Sequence, residues 1–436
     1  MPIRNLYARQ IFDCRGHPTV EVDLITELGL FRASVPAGVT TTASEYEAVE
    51  LRDNEKNNFH GMSVFNAVDN INDVIAPEIK QSCFEVTQQK DLDNLLLGLD
   101  GTPNKSRLGV NATLAVSVAI AKAGAAKRGV PLYRHVSDLA GNRTFVLPVP
   151  CFNVITGGIQ AGNKIPFEEF LIMPTGATSF ADAMKMGTEV YHNLKKLLLA
   201  KYGTLAFYTT EEGAFAPNIK NPKDLLTILN KAIDTSKYKG RVEIAMDCGA
   251  STFYKKGKYD LNFKQKKSNP KSWLTADKLM KQYLDFIKKF PICSIEDPFN
   301  MDDSWKDWKS ICEKTSIQVV GDYLTVSHPE RIKQAIEMEA CNCVSLKLNQ
   351  AGTLTEIVQA CMLAKQNGLG TVLSHRTGDT EDTYISDIVV GLKCGQLKGG
   401  APSRSERMAK YNQLLRIEEE LGPYATYAGK AFQNPA

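Results

Sequence analysis

Six short apolar runs after residue 240 each end in one polar residue. They are "VEIAMD" at Asp247, "PICSIE" at Glu296, "IQVVGD" at Asp322, "CVSLK" at Lys347, "TVLSH" at His375 and "CGQLK" at Lys398. From Glu296 onward these residues lie 26, 25, 28 and 23 positions apart. The gaps carry helical periodicity, as in "HPERIKQAIEMEA", "TLTEIVQACMLAKQNG" and "DTYISDIVVGLK". One strand, one helix and two short loops occupy about 25 residues, so the pattern is a repeating βα unit. Repeated enough times, that unit closes into a β/α (TIM-like) barrel, which places its chemistry at the C-terminal ends of its strands. Any single one of the six could be a strand end meeting solvent. Six in succession argue for a common mouth.

The 436 residues are too many for one ordinary domain. Ahead of the repeats, strands and helices are mixed. "TVEVDLITELGLFRASVP" alternates apolar and polar residues around "ELG", which predicts a hairpin. "LGVNATLAVSVAIAKAGAAKRG" is apolar but interrupted by Asn111 and Lys122, so it reads as a buried helix rather than a membrane span. The proline-punctuated "NRTFVLPVPCFNVI" marks a boundary. The fold class is therefore α/β, with a smaller α+β domain over residues 1–137 and a C-terminal barrel over residues 138–436. A net charge of +3 gives no support to a nucleic-acid or membrane role. "MPIRNLYARQIFD" lacks the apolar core of a signal peptide, and a cytoplasmic location is expected. The ten scattered cysteines read as reduced, packed thiols.

Asp247, Glu296 and Asp322 meet at one mouth if the barrel forms. Three convergent carboxylates repel unless a cation binds, and an all-oxygen ligand set selects a hard ion, Mg²⁺ before Ca²⁺ or Zn²⁺. Lys347 and Lys398 face the same mouth. A lysine beside a dication and a second ammonium is pushed toward its neutral form and can act as a base. Such a base beside a metal-bound carboxylate substrate suggests proton abstraction α to that carboxylate, with the metal holding the resulting enediolate. Glu169 and Glu212 could supply the acid that expels a leaving group.

At this point the sequence resembles the enolase family, phosphopyruvate hydratase, over essentially its whole length. The resemblance is carried by "DCRGHPTVEVDL", "EAVELRDN", "GVPLYRH", "LPVPCFNVI", "SIEDPF", "LKLNQ", "SHRTGDTEDT" and "APSRSERMAKYNQLLRIEEELG", in order. It implies a Mg²⁺-dependent lyase that dehydrates 2-phosphoglycerate to phosphoenolpyruvate. By motif it gives the first Mg²⁺ to Asp247, Glu296 and Asp322, and the C2 proton to Lys347. Glu212 becomes the acid for the departing 3-hydroxyl, with Glu169 assisting. Lys398 holds the substrate carboxylate, while His375, Arg376 and Thr377 hold the substrate and its phosphate. The resemblance also implies a homodimer, with Arg15 and the run Glu418 to Glu420 near its interface.

The three lids of the family are rewritten. Where the first usually reads Gly-Gly-Ser-His-Ala-Gly-Asn-Lys, this chain has "GGIQAGNK", with Gln160 replacing the histidine that meets substrate. In the second, "AGVTTTASEYEA", Thr40 replaces the serine that ligates a second Mg²⁺ and Thr42 stands for a glycine. In the third, "TEEGAF", Thr210, Glu211 and Ala214 replace Gly, Asp and Gly, and Ala214 is expected to be strained if the backbone there needs φ > 0. Tyr323 replaces an aspartate just after Asp322. The alternative reading is thus an enolase-like protein of weak or absent activity, kept for a binding or structural role.

Overall fold

The computed structural model describes residues 3–38, 45–204 and 208–435. Strands β1 (Asn5–Phe12), β2 (Pro18–Thr26) and β3 (Gly29–Ser34) form an antiparallel sheet. Thr26 pairs with Gly29, leaving Glu27 and Leu28 as the hairpin turn expected at "ELG". The alternation in β2 explains the packing. Val20, Val22 and Leu24 are buried, and the sheet lies on the helix Val110–Lys127. Glu21 and Asp23 point the other way and pair with Arg9 of β1 and Arg32 of β3. The alanine-rich run is that helix, buried on nearly all sides between the sheet, other helices of its domain and the short helix Leu348–Ala351. Small side chains let it be approached closely from every direction. Among the described residues, no helix is long and apolar enough to cross a membrane.

The second unit is a closed eight-strand barrel with helices outside. Its strands are β4 (Val149–Thr156), β5 (Glu169–Met173), β6 (Glu243–Asp247) and, after the small hairpin β7 (Tyr254–Lys255) and β8 (Lys258–Tyr259), β9 (Ile292–Glu296), β10 (Gln318–Gly321), β11 (Cys343–Leu346), β12 (Gly370–Ser374) and β13 (Gln396–Gly400). The ring order is β10-β11-β12-β13-β4-β5-β6-β9. The repeating unit read from the sequence holds from β6 onward, where the strands are parallel. It fails at the start of the barrel, because β5 is antiparallel to both β4 and β6. An antiparallel strand enters at the end where its parallel neighbours leave. Glu169, the first residue of β5, is thereby paired in register with Asp247, the last residue of β6.

The helix Phe180–Tyr202 presses on β4 so closely that a Cβ at Gly187 would lie 2.2 Å from the Phe152 ring. Glycine is what lets helix and strand meet there. All ten cysteines are free thiols, as expected, and Cys341 and Cys343 are buried.

In the N-terminal domain, burial holds His135 down to about 4, with the Arg128 charge adding to the effect. The unfolded chain takes up that proton near pH 6.5 and the folded chain only near 4. Stability from this residue is therefore complete above about pH 6.5 and is lost as pH falls toward 4, by up to about 3 kcal/mol. Urea unfolding of wild type and His135→Asn from pH 7.5 to 4.5 should show a stability difference that shrinks steadily as pH falls. A difference independent of pH would mean that His135 titrates normally.

Candidate active site

Ten of the twelve residues singled out from the sequence line one cavity of about 600 Å³: Gln160, Glu169, Glu212, Asp247, Asp322, Lys347, His375, Arg376, Thr377 and Lys398. Glu296 lies beneath it, reached through Lys398. Thr40, like Thr42, falls outside the described residues.

Asp247 and Glu296 end β6 and β9, and Asp322 follows β10 directly. All three are buried. The Lys398 Nζ donates to Asp247 Oδ2 at 2.6 Å and to Glu296 Oε2 at 3.2 Å, and lies 2.8 Å from Glu169 Oε2. Lys398 sits in mid-strand rather than at a strand end, since β13 continues to Gly400. Burial and the Asp247 charge push Glu296 up to about 8. Asp322 goes the other way: burial raises it, but the Lys347 and Lys398 ammoniums outweigh burial and hold it below the usual range. Lys347 forms an ion pair with Asp322. Lys398 is held in its charged form. Burial alone lowers it, yet Asp247, Glu169 and Glu296 together hold its proton well above the ordinary lysine range.

Glu169 and Glu212 form a second carboxylate pair. Asn153 Nδ2 donates to Glu169 Oε1 and to Glu212 Oε2, each at 3.0 Å. Burial drives Glu169 well above the ordinary carboxylate range. Burial also raises Glu212, but the hydrogen bond from Glu169, the Arg407 charge and Asn153 reverse the sign and hold it low. Two buried carboxylates that close share one proton. Here it rests on Glu169, whereas the family resemblance makes Glu212 the acid.

Past β12 the chain forms a strap across the mouth. His375 Nε2 is 3.7 Å from Glu212 Oε2, and Thr377 Oγ1 donates to Glu212 Oε1 at 3.0 Å. Arg376 donates from Nη2 to the carbonyl of Gly38, where the described part of the second lid ends. Gln160 is exposed on a turn of 3₁₀ helix over the cavity. The expected strain at Ala214 is not there. The positive φ of the third lid falls on the retained Gly213, at +82°, and Ala214 is buried in ordinary backbone.

Several contributors were not singled out as site residues from the sequence. Asn153, in "CFNVI", orients both carboxylates. Tyr323 was noted only as a replaced aspartate. Its Oη donates to Glu168 Oε1 and Oε2 at 3.2 and 3.0 Å, and Glu168, pushed up to about 8 by burial and Asp247, is a further carboxyl group of the mouth. A hydroxyl donor stands here where the family has a carboxylate. Lys264 lies in the lysine-rich stretch after β8. It is half-buried, with Nζ 3.4 Å from Asn163 Oδ1 and from the Ile165 carbonyl, and so tethers the first lid. Arg15 and Glu418 were connected with a subunit interface. Arg15 bonds Asp13 and lines the cavity, while Glu418 accepts from the backbone N–H groups of Phe180 and Ala181 at the start of a barrel helix.

Among the described residues no cluster of three or more His, Cys, Asp or Glu is arranged around a single ion position. The lysine ammoniums stand among the carboxylates instead. The donor set nevertheless fits a hard cation. Glu296 Oε1 and Asp322 Oδ1 are buried without a hydrogen-bond partner, and every candidate ligand atom is oxygen.

Comparison with family models gives two matches that together span nearly the whole chain. Residues 3–136 match the model described as Enolase, N-terminal domain. Residues 144–436 match the model described as Enolase, C-terminal TIM barrel domain.

Proposed function

The chain belongs to the enolase family of lyase-type enzymes, and on that premise we propose that it dehydrates 2-phosphoglycerate to phosphoenolpyruvate, a step of glycolysis and gluconeogenesis. The observation that carries this reading is that Lys347 stands opposite the Glu169–Glu212 pair. β11 and β5 are four strands apart in the eight-strand ring, so an amine and a carboxyl pair face one another across one cavity. A substrate between them meets a base on the side of its C2 proton and an acid on the side of its 3-hydroxyl.

Lys347 takes the C2 proton. Its amine forms an ion pair with Asp322, one of the three carboxylates at the mouth. Lys398 binds the substrate carboxylate. Arg376, His375 and Thr377 hold the phosphate end. Glu169, which carries the shared proton, passes it to Glu212, and Glu212 delivers it to the departing hydroxyl. Asn153 keeps the two carboxyl groups together. Asp247, Glu296 and Asp322 would hold Mg²⁺, which when bound supplies positive charge beside the substrate carboxylate. The protein is proposed to act in the cytoplasm as a homodimer.

The test is a coupled assay with 2-phosphoglycerate and Mg²⁺. Turnover that requires both supports the proposal. Mg²⁺ stabilisation without turnover favours the second reading, an enolase-like protein kept for binding or structure. The observation behind that reading is the uncharged Gln160 on the lid, which cannot add positive charge near a phosphate. In an active parent, Gln160→His is expected to raise kcat/KM at least about fivefold, since a regained charge-assisted hydrogen bond contributes roughly 1.5–3 kcal/mol. The melting temperature should hardly move, because an exposed lid residue buries little. Absence of a gain in steady-state kinetics would show that the glutamine already does this work.

A further inference from the structure

Arg407 has no role in the reading above, yet it is fully buried behind the strap that carries His375. It lies in the first turn of the helix Ser405–Leu421. Its Nη1 is 2.5 Å from His375 Nδ1 and 2.7 Å from the Arg376 carbonyl, and its Nη2 donates to the Thr377 carbonyl at 2.5 Å. One guanidinium thus grips three consecutive residues of the strap. A guanidinium carries donors only and keeps its charge at every working pH. The imidazole nitrogen facing it must therefore present a lone pair. A neutral imidazole with a lone pair on Nδ1 carries its hydrogen on Nε2, and Nε2 is the atom turned toward Glu212, 3.7 Å away.

We propose that Arg407 is a positioning residue that locks His375 as the neutral Nε2–H tautomer, so that His375 turns an uncharged N–H toward the Glu169–Glu212 pair. The catalytic meaning of this lock rests on the proposed dehydration, but the tautomer itself does not. Protonating His375 at Nδ1 would set two donors and two positive charges against each other at 2.5 Å. The groups around the ring come from four elements. Arg407 faces it from the helix, Lys398 from β13 and Lys347 from the end of β11, and all three oppose an imidazolium. Glu212, from the third lid, favours one. Asp379 and Glu406 lie 3.5 and 3.4 Å from the guanidinium, and Cys14 Sγ is 3.6 Å from Nη2. These two carboxylates offset part of the arginine charge without supplying an acceptor that would release Nδ1. Burial first, and Arg407 next, hold the imidazole well below its ordinary range.

The experiment is long-range ¹H–¹⁵N correlation spectroscopy of the full chain with ¹⁵N-labelled histidine. Six histidines are present, and His375 is assigned by the signal lost in His375→Asn. The expected wild-type spectrum has a pyridine-like Nδ1 and a pyrrole-like Nε2 on His375, unchanged between about pH 5 and 8. A pyrrole-like Nδ1, or titration of the ring within that window, overturns the proposal. Arg407→Gln, whose amide can donate or accept, is the second arm. If it folds by circular dichroism, His375 should begin to titrate in the window and kcat should acquire a new acidic limb, an effect that loss of packing alone would not produce. A folded variant with the wild-type histidine spectrum would also overturn the proposal. If the variant does not fold, the wild-type spectrum decides. A protein without turnover still reports its tautomer, so failure of the dehydration reading and failure of this one are separable.

Discussion

Replacing Lys347 with alanine is expected to lower kcat for 2-phosphoglycerate by about 10²–10⁴-fold, the usual contribution of a positioned general base. Exchange of the C2 proton with solvent deuterium should disappear with it, while Mg²⁺ binding survives. The amine is buried at the end of β11, faces the carboxyl pair across the cavity and is held by Asp322. Alanine removes the base and also leaves Asp322 without its ion-pair partner. Breaking a buried pair from one side costs about 3–5 kcal/mol, so the variant should melt earlier, and Mg²⁺ should restore part of the loss by neutralising Asp322. Mass-spectrometric exchange and a parallel melt read both effects. Exchange that persists in a folded variant would place the base elsewhere.

The second large effect is the loss of metal-linked stability in Glu296→Gln. Glu296 is buried beneath the cavity, and burial and Asp247 push it up to about 8. An ion present at about 100 times its dissociation constant stabilises a folded protein by about 2.7 kcal/mol. Most of that increment should vanish in the variant. Without metal the variant should melt close to wild type at neutral pH, because Glu296, pushed up to about 8, is already largely uncharged there and glutamine replaces a neutral carboxyl group. Thermal shifts with Mg²⁺ and with a chelator test both halves. Equal Mg²⁺ stabilisation in wild type and variant would remove Glu296 from the metal site.

The parallel part of the barrel was legible because its signal is local. Each of β9 to β13 is a short apolar run followed by a helix of ordinary length, and a side chain at a strand end can be read from spacing alone. Asp247, Glu296, Asp322, Lys347 and His375 were found in this way. Glu169 and Glu212 were found differently. Neither ends a run, and only acidic residues in glycine-containing loops, together with the resemblance, pointed to them. The physical reason for Glu169 is the reversal of β5, which depends on pairing with β4 and β6 over long range. Periodicity within one segment carries no record of strand direction.

The same limit applies at three other positions. Ala214 would be strained only if the backbone there took positive φ, and which residue of a lid takes positive φ is set by how the lid closes; here Gly213 takes it. Lys398 follows from spacing as a residue of the mouth, but spacing does not show that three carboxylates from three other strands surround it and hold its proton. Lys264 stands in a lysine-rich stretch, and only the fold shows that it is tucked under the first lid.

By itself the sequence determined which residues could do chemistry, and the order in which strands deliver them to one end of a barrel. Spacing and side-chain type are local properties, and the βα unit repeats them. Only the tertiary structure decided the protonation pattern: the proton on Glu169 rather than Glu212, the charge kept on Lys398, the donor-only Arg407 against His375. Those outcomes depend on burial and on charges a few ångströms away that come from residues tens to hundreds of positions distant. Coulomb interaction and desolvation act through space, so the chain must fold before either has a sign.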